Sequence, residues 1–398
     1  MELSKRISAL KPSPTVALNG KAKELARAGH KVFNFAVGEP DFTTHPEIID
    51  VAVQALKEGK TKYGPAGGSP QLKDAIIEKL KRDNKLSFKP EQIVVGMGAK
   101  EILFHLFLAT LNEGDEVLIP APYWVSYTAQ VLAAGATPVI IPMPEDHQAP
   151  RLTPEMIAAH VSPKTKALIL TSPNNPAGYV IKKDELLAIG EYLKDKPWWL
   201  VSDEIYEYMS FAEPHHSIGA LVPELHDRYI IVNGLSKGFA MTGWRVGYMA
   251  GPEPVAKLVK TLQTQSSTCL PPFIELASVE ALKRGANLMA DKMDLLKGRK
   301  NLAQELINSM EDVSMVPPEG AFYIFIDVRD ALDKAPGYEN HNSFKFSEYL
   351  LDTHHVAMVP GEAFGVPGFL RLSYATSDEE LKEGLSRLAQ ALKDVKNG

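Results

Sequence analysis

Between residues 93 and 250 short apolar runs alternate with helical stretches, and this alternation restricts the fold more than any other feature. The runs cover residues 93–95, 116–119, 137–141, 167–170, 199–201, 230–232 and 246–249. Apart from Glu116 and Thr137, which open two of them, they carry almost no polar residue, as strands covered on both faces require. Strand, helix and strand in succession predict an α/β protein with a mainly parallel central sheet. Before this region, helices are expected at 19–29, 46–59 and 70–83, with a short strand at 32–36. After it the chain turns helical, at 255–264, 273–283 and through a charged stretch to residue 311. It then mixes strands (323–328, 369–374) with a last helix at 378–393.

At 398 residues the chain has core for about two or three domains. A net charge of −6 supplies no field that would draw it to nucleic acid or a membrane surface. No apolar stretch nears the roughly 20 residues that span a bilayer, and the N-terminus leads into no signal-type block. With one cysteine, Cys269, an intramolecular disulfide is impossible. A cytoplasmic setting is expected.

Chemistry concentrates where predicted strands end. Lys237 lies among small residues in Gly234-Leu235-Ser236-Lys237-Gly238, with Arg245 eight residues on. A lysine placed there can lose its proton and attack a carbonyl. Gly98, Ala99 and Lys100 follow a strand and open a helix at 100–111, a place where backbone N–H groups meet an anion or simply make a turn. Asn175 sits in the Pro-rich loop Ser172-Pro173-Asn174-Asn175-Pro176-Ala177-Gly178 after another strand. Asp203 and Glu204 end a third strand and precede Tyr206. They serve either as partners of a cationic ring nitrogen, such as a pyridoxal pyridinium, or as a helix cap with an acidic first turn. Arg371 lies within an otherwise apolar strand and needs a carboxylate, from a ligand or from a structural ion pair. Trp124 and Tyr63 stand near prolines; Trp124 is placed to stack on a planar ring, and either could instead pack in the core. The adjacent pairs His215-His216 and His354-His355 read as loop or surface residues without a Cys or acidic partner, so no metal site is expected.

The run around Lys237 resembles the lysine signature of class I aminotransferases. The likeness continues through Gly38-Glu39-Pro40-Asp41-Phe42, Lys62-Tyr63, Pro122 to Tyr127, Ser172 to Gly178, Ser202 to Tyr206, Gly320 to Tyr323 and Arg371 to Thr376. It is similar to the bacterial aspartate aminotransferase branch of the fold-type I pyridoxal-phosphate enzymes. That resemblance implies a large domain, residues 46–295, with a mostly parallel seven-stranded sheet between helices. It also implies a smaller α/β domain made by both chain ends, residues 1–45 and 296–398. It implies a homodimer with shared active sites, small amino and keto acids as its partners, and pyridoxal 5′-phosphate as cofactor.

Residue by residue, Lys237 resembles the Schiff-base lysine and proton shuttle, and Asp203 the partner of the pyridinium nitrogen. Tyr206 and Asn175 would bond the ring's phenolic oxygen, and Trp124 would stack on the ring. Gly98, Ala99, Lys100 and Arg245 lie around the phosphate, which Tyr63 would reach from the neighbouring subunit. Arg371 and Asn175, near Gly38 and Trp124, would hold the substrate's α-carboxylate. Lys100, Ser13 and Thr15 match the positions that this branch uses for the distal carboxylate. The implied reaction is ping-pong transfer between aspartate or glutamate and 2-oxoglutarate or oxaloacetate. Prephenate or aromatic transamination, a carbon–sulfur lyase and a non-catalytic regulator are the alternatives, and a regulator would carry a DNA-binding segment that the short arm before Gly38 has no room for. The chain departs from many relatives at Gly234, where a serine often binds phosphate, and in the turn Gly98-Ala99, which has no hydroxyl. Backbone groups and Arg245 are expected to carry more of the phosphate binding.

Overall fold

The computed structural model describes residues 3–397. The seven apolar runs all become strands of one sheet: β1 (Ile93–Met97), β2 (Glu116–Pro120), β3 (Thr137–Ile141), β4 (Thr165–Thr171), β5 (Trp199–Asp203), β6 (Tyr229–Gly234) and β7 (Val246–Ala250). Their spatial order is β1-β7-β6-β5-β4-β2-β3. All neighbours run parallel except β7, which is antiparallel to both β1 and β6. The central strands β6 and β7 are buried at every position, which is why their sequences show no polar alternation.

Helices cover both faces. On one side Leu103, Phe107, Val131, Val201, Val232, Val255 and Val259 pack together. On the other, Ile76, Leu170, Leu200, Ile231, Tyr248 and Ala277 belong to a larger core. Pro46–Lys57 and Pro70–Lys79 form as expected, each with proline in its first turn, where the missing N–H costs nothing. Proline has the same place in Pro14–Arg27, which begins five residues before the expected start at 19.

The chain ends build a separate core. Strands β8 (Tyr323–Asp327) and β9 (Phe369–Ser373) pair antiparallel, with Tyr323 opposite Ser373 and Phe325 opposite Arg371. Phe33 and Phe35 join Leu296, Ile324, Leu350, Leu385 and Leu388 in this second core. The strand Phe33–Asn34 is shorter than the expected 32–36, because it pairs only with Val356 and Ala357. The closing helix Asp378–Asn397 presents a continuous buried stripe, Leu381, Leu385, Leu388, Leu392 and Val395, at helical spacing. Residues 1, 2 and 398 of the expected small domain lie outside the described residues.

Candidate active site

The parallel strands β4, β5 and β6 carry their functional residues at or just beyond their C-terminal ends, the edge where open α/β sheets bind ligands. A cavity of about 330 Å³ opens there. It is lined by Ser13, Thr15, Gly38, Ala99, Lys100, Trp124, Asn175, Asp203, Tyr206, Lys237, Arg245 and Arg371. Twelve positions singled out in sequence, separated by up to 358 residues, therefore meet around one space. Gly98 does not line it but lies against Arg245, which does. Tyr63 does not line it and is 91% exposed.

Asp203 ends β5 and is buried. Its Oδ2 accepts from Tyr127 Oη at 2.6 Å and its Oδ1 from the Ile205 amide at 3.3 Å. Burial pushes its carboxyl up to about 6, against the lowering effect of these donors. Lys237 follows β6, and its Nζ donates to the Gly38 carbonyl from the N-terminal segment. Burial brings this amine down to about 8, with Arg371, Arg245 and Lys100 acting in the same direction against Glu39. The shift leaves a far larger fraction of neutral, nucleophilic amine near neutral pH than an ordinary lysine has.

Three cationic side chains surround the cavity at separate points. Arg371, from β9, is 3% exposed. It donates from Nη1 to Asn175 Oδ1 at 3.1 Å and from Nη2 to the Ala36 carbonyl at 2.7 Å, while its buried Nε has no partner. The structural ion pair weighed for it in sequence is absent among the described residues, which leaves the guanidinium open to a ligand carboxylate. Lys100 stands 5.0 Å from the Trp124 ring centroid, and burial with Arg245 nearby lowers its amine. Arg245 donates to the carbonyls of Thr242 and Met97 at 2.9 and 3.4 Å.

Two glycines explain the departures from the familiar sequence. Gly98 has φ +87°, and a Cβ there would lie 2.5 Å from Arg245 Nη2. Its absence lets the guanidinium close over the start of helix Ala99–Thr110, where free N–H groups and a positive dipole end favour an anion. At Gly234 a Cβ would meet the Val246 carbonyl at 2.6 Å. A serine at that position has no room, and Ser236, beside Lys237, supplies a hydroxyl to the cavity wall.

Sequence reading gave no role to Tyr127, Thr171, Ser236 or Tyr323, all of which line the cavity. Tyr127 lies three residues after Trp124 at the start of helix Ser126–Ala133, and that spacing is the signal that could have found it. Its hydroxyl is also 2.7 Å from Thr171 Oγ1. Tyr323 closes the run Gly320 to Tyr323 that carries part of the resemblance, but its place at the cavity follows only from the fold.

The reading of His215 as a loop or surface residue without acidic partners is corrected. It is in a loop, but its side chain is 9% exposed and its Nε2 lies 2.8 Å from Glu204 Oε2. Ligand atoms of Glu204, Glu207 and His215 come within 4.8 Å of one another. These three residues follow one another in the segment after β5, and Lys79 alone is brought to them from a distant part of the chain. Lys79 Nζ pairs with Glu207 inside the same cluster and takes the place a cation would need. The residues Asp203 and Glu204, bracketed together in sequence, thus serve different environments.

Comparison with known proteins agrees with this geometry. The family model for aminotransferases of class I and II matches residues 30–388. The chain is 42% identical to a probable aspartate/prephenate aminotransferase of Aquifex aeolicus, over 99% of each chain. It is 41% identical to an aspartate aminotransferase of Bacillus subtilis, over 98% of each. The structure of Thermus thermophilus aspartate aminotransferase with maleate superposes with a TM-score of 0.91 at 39% identity, covering 98% of this chain and 100% of that one. The sheet, the lysine at the end of β6 and these full-length likenesses place the chain in the class I and II aminotransferase family.

Proposed function

We propose that this aminotransferase uses pyridoxal 5′-phosphate to move an amino group between aspartate or glutamate and 2-oxoglutarate or oxaloacetate. The observation that carries the reading is the meeting of Lys237, Asp203 and Arg371 around one cavity. The residues fit the cofactor. Asp203 is a buried carboxylate whose raised proton affinity calls for a cationic neighbour, and the Gly98–Ala99 turn with Arg245 offers an anion cradle. Asp203 would hold the ring nitrogen, Tyr206 and Asn175 the ring oxygen, Trp124 the ring face, and Gly98, Ala99, Lys100 and Arg245 the phosphate. When bound, the cofactor supplies an electron sink for the substrate's α-carbon.

The chain's own residues supply the rest. Asp203 keeps the ring nitrogen protonated. Lys237, lowered to about 8, is able to take a proton from the substrate's α-carbon and return it. Arg371 and Asn175 orient the α-carboxylate, and Gly38 gives the lysine a resting acceptor. Lys100, Ser13 and Thr15 stand at the cavity wall for a second carboxylate. Thr15 Oγ1 is buried without a partner, a donor left for a ligand. No helix among the described residues is long and apolar enough to cross a membrane, and we place the enzyme in the cytoplasm.

We also propose a homodimer. Tyr63 at 91% exposure is free to reach a neighbouring subunit's phosphate, and Ile49, Val53 and Leu56 expose one apolar helix face. The separate cores support the division into residues 46–295 and the two chain ends.

A panel of amino donors with 2-oxoglutarate, with prephenate among the acceptors, tests the reading. Prephenate belongs in it because the Aquifex relative carries that name. With 2-oxoglutarate as acceptor aspartate should be the best donor, and glutamate should be used best when oxaloacetate is the acceptor. Lys100→Ala should raise the KM for aspartate far more than that for an aromatic amino acid, and equal effects would defeat the distal-carboxylate assignment.

A further inference from the structure

Arg371, Asn175, Tyr206 and Tyr323 form a closed ring of contacts beside the cavity. Arg371 Nη1 donates to Asn175 Oδ1 at 3.1 Å, and Asn175 Nδ2 donates to Tyr206 Oη at 3.4 Å. Tyr206 Oη lies 3.0 Å from Tyr323 Oη. The ring closes because the Arg371 guanidinium lies 4.6 Å from the centroid of the Tyr323 ring. All four side chains are at most 5% exposed. Antiparallel pairing of β8 with β9 makes this possible: Tyr323 faces Ser373, two residues along from Arg371, so the two side chains are diagonal neighbours on one face. The Tyr323 hydroxyl also abuts Gly38, where a Cβ would stand 3.0 Å from it. Gly38 in turn accepts the Lys237 amine.

The hydroxyls of Tyr206 and Tyr323 share one hydrogen bond, so one of their two protons is used between them and the other is left for the cavity. A cation against the Tyr323 ring withdraws electron density and makes Tyr323 the better donor. Tyr206 already accepts from Asn175. With Tyr323 donating as well, the Tyr206 proton is the one left to face the cavity.

We infer that Tyr323 is a positioning residue for amino transfer, whose hydroxyl turns the Tyr206 proton toward the cofactor's ring oxygen while its ring holds the Arg371 guanidinium against the substrate carboxylate. One side chain then sets both ends of the site. The inference rests on the pyridoxal-phosphate reading above.

Two variants separate the two functions. Tyr323→Phe keeps the ring and removes the hydroxyl. A donor to the ring oxygen favours the form that carries negative charge there. Losing Tyr323 as a donor to Tyr206 should therefore raise the pH midpoint of the bound cofactor's visible absorbance, by about half a unit to one unit. It should lower kcat about 3- to 10-fold with little change in the KM for aspartate. Tyr323→Leu removes the ring as well, and should in addition raise that KM, and the Kd of maleate measured by calorimetry, about 5- to 10-fold. A merely structural role would lower the melting temperature of Tyr323→Phe and leave the absorbance midpoint in place, which would overturn the inference. So would unchanged maleate affinity in Tyr323→Leu. If Tyr323→Leu does not fold, the Tyr323→Phe midpoint and kcat decide alone. A wild-type protein that gains no visible absorbance with pyridoxal 5′-phosphate would sink the underlying reading instead, a result distinguishable before any variant is made.

Discussion

Asp203 and Glu204 are consecutive carboxylates at the end of β5, both buried, and the sheet sends them to opposite sides. Asp203 faces the cavity with two donors, and burial outweighs them, so its carboxyl is raised to about 6. Glu204 faces a sealed polar cluster. Its oxygens accept from Ser202 at 2.9 Å, Tyr229 at 2.8 Å, Ser217 at 2.6 Å and Asn84 at 3.1 Å, with His215 at 2.8 Å. Burial alone would raise Glu204, but His215 and these donors hold its carboxyl below the usual range. Burial would likewise lower His215, and Glu204 raises it instead. The lesson is that burial by itself assigns no role. A carboxylate fully satisfied by protein is scaffold, and one left short of partners beside a cavity is built for a ligand.

The largest expected break in this comparison lies on the cavity side. Lys237→Ala should lower the transamination rate by at least about 10⁴-fold while leaving the melting temperature near that of the wild type. Retained amino transfer would end the catalytic assignment.

On the sealed side the sign of the effect reverses. Lys79→Met leaves Glu207 without its buried partner and should cost about 3–5 kcal/mol in chemical denaturation. The kcat per folded molecule should stay close to wild type. A large loss of kcat with stability intact would show that the cluster acts on the chemistry.

Asp203→Asn sharpens the contrast by pH. A carboxyl raised from 3.8 to about 6 binds protons more tightly when folded, so its contribution is full below about pH 4 and is lost as pH rises through about 6. Replacing it should stabilise the apoenzyme by an order of 3 kcal/mol above that range and by nothing below it, while kcat falls about 10²-fold or more. A stability change independent of pH would contradict the origin assigned to the shift. Lys237 has the opposite sign, since an amine lowered to about 8 makes apoenzyme stability rise between pH 8 and 10.5. Lys237→Met should flatten that rise.

The smallest effect is expected from Tyr229→Phe, which removes one of several donors to Glu204 and should cost about 1.5–3 kcal/mol with kcat unchanged. Its counterpart on the cavity side, Tyr127→Phe, removes a donor that lowers Asp203, so the Asp203 midpoint should move up from about 6 when followed by NMR.

Much of this was legible in the chain. The seven strands followed from largely apolar runs, because the inner strands of a sheet covered on both faces need apolar residues at nearly every position. Lys237, Asp203, Asn175 and Gly98 were visible because each lies where a strand gives way to a turn, and a turn with special residues leaves a local mark. Tyr323 left no such mark, since an aromatic residue within an apolar run looks like core, and Tyr127 left only its spacing from Trp124. His215 left none either, since its contact with Glu204, eleven residues earlier, is made only by the folding of the irregular segment after β5. The apolar pattern thus determined the sheet, and the resemblance carried by the motifs around Lys237 determined the class of chemistry. Only the tertiary structure decided which partners each of two neighbouring carboxylates, Asp203 and Glu204, receives. That choice depends on which groups the packed sheet brings to each face, and no short-range pattern encodes contacts made across the fold.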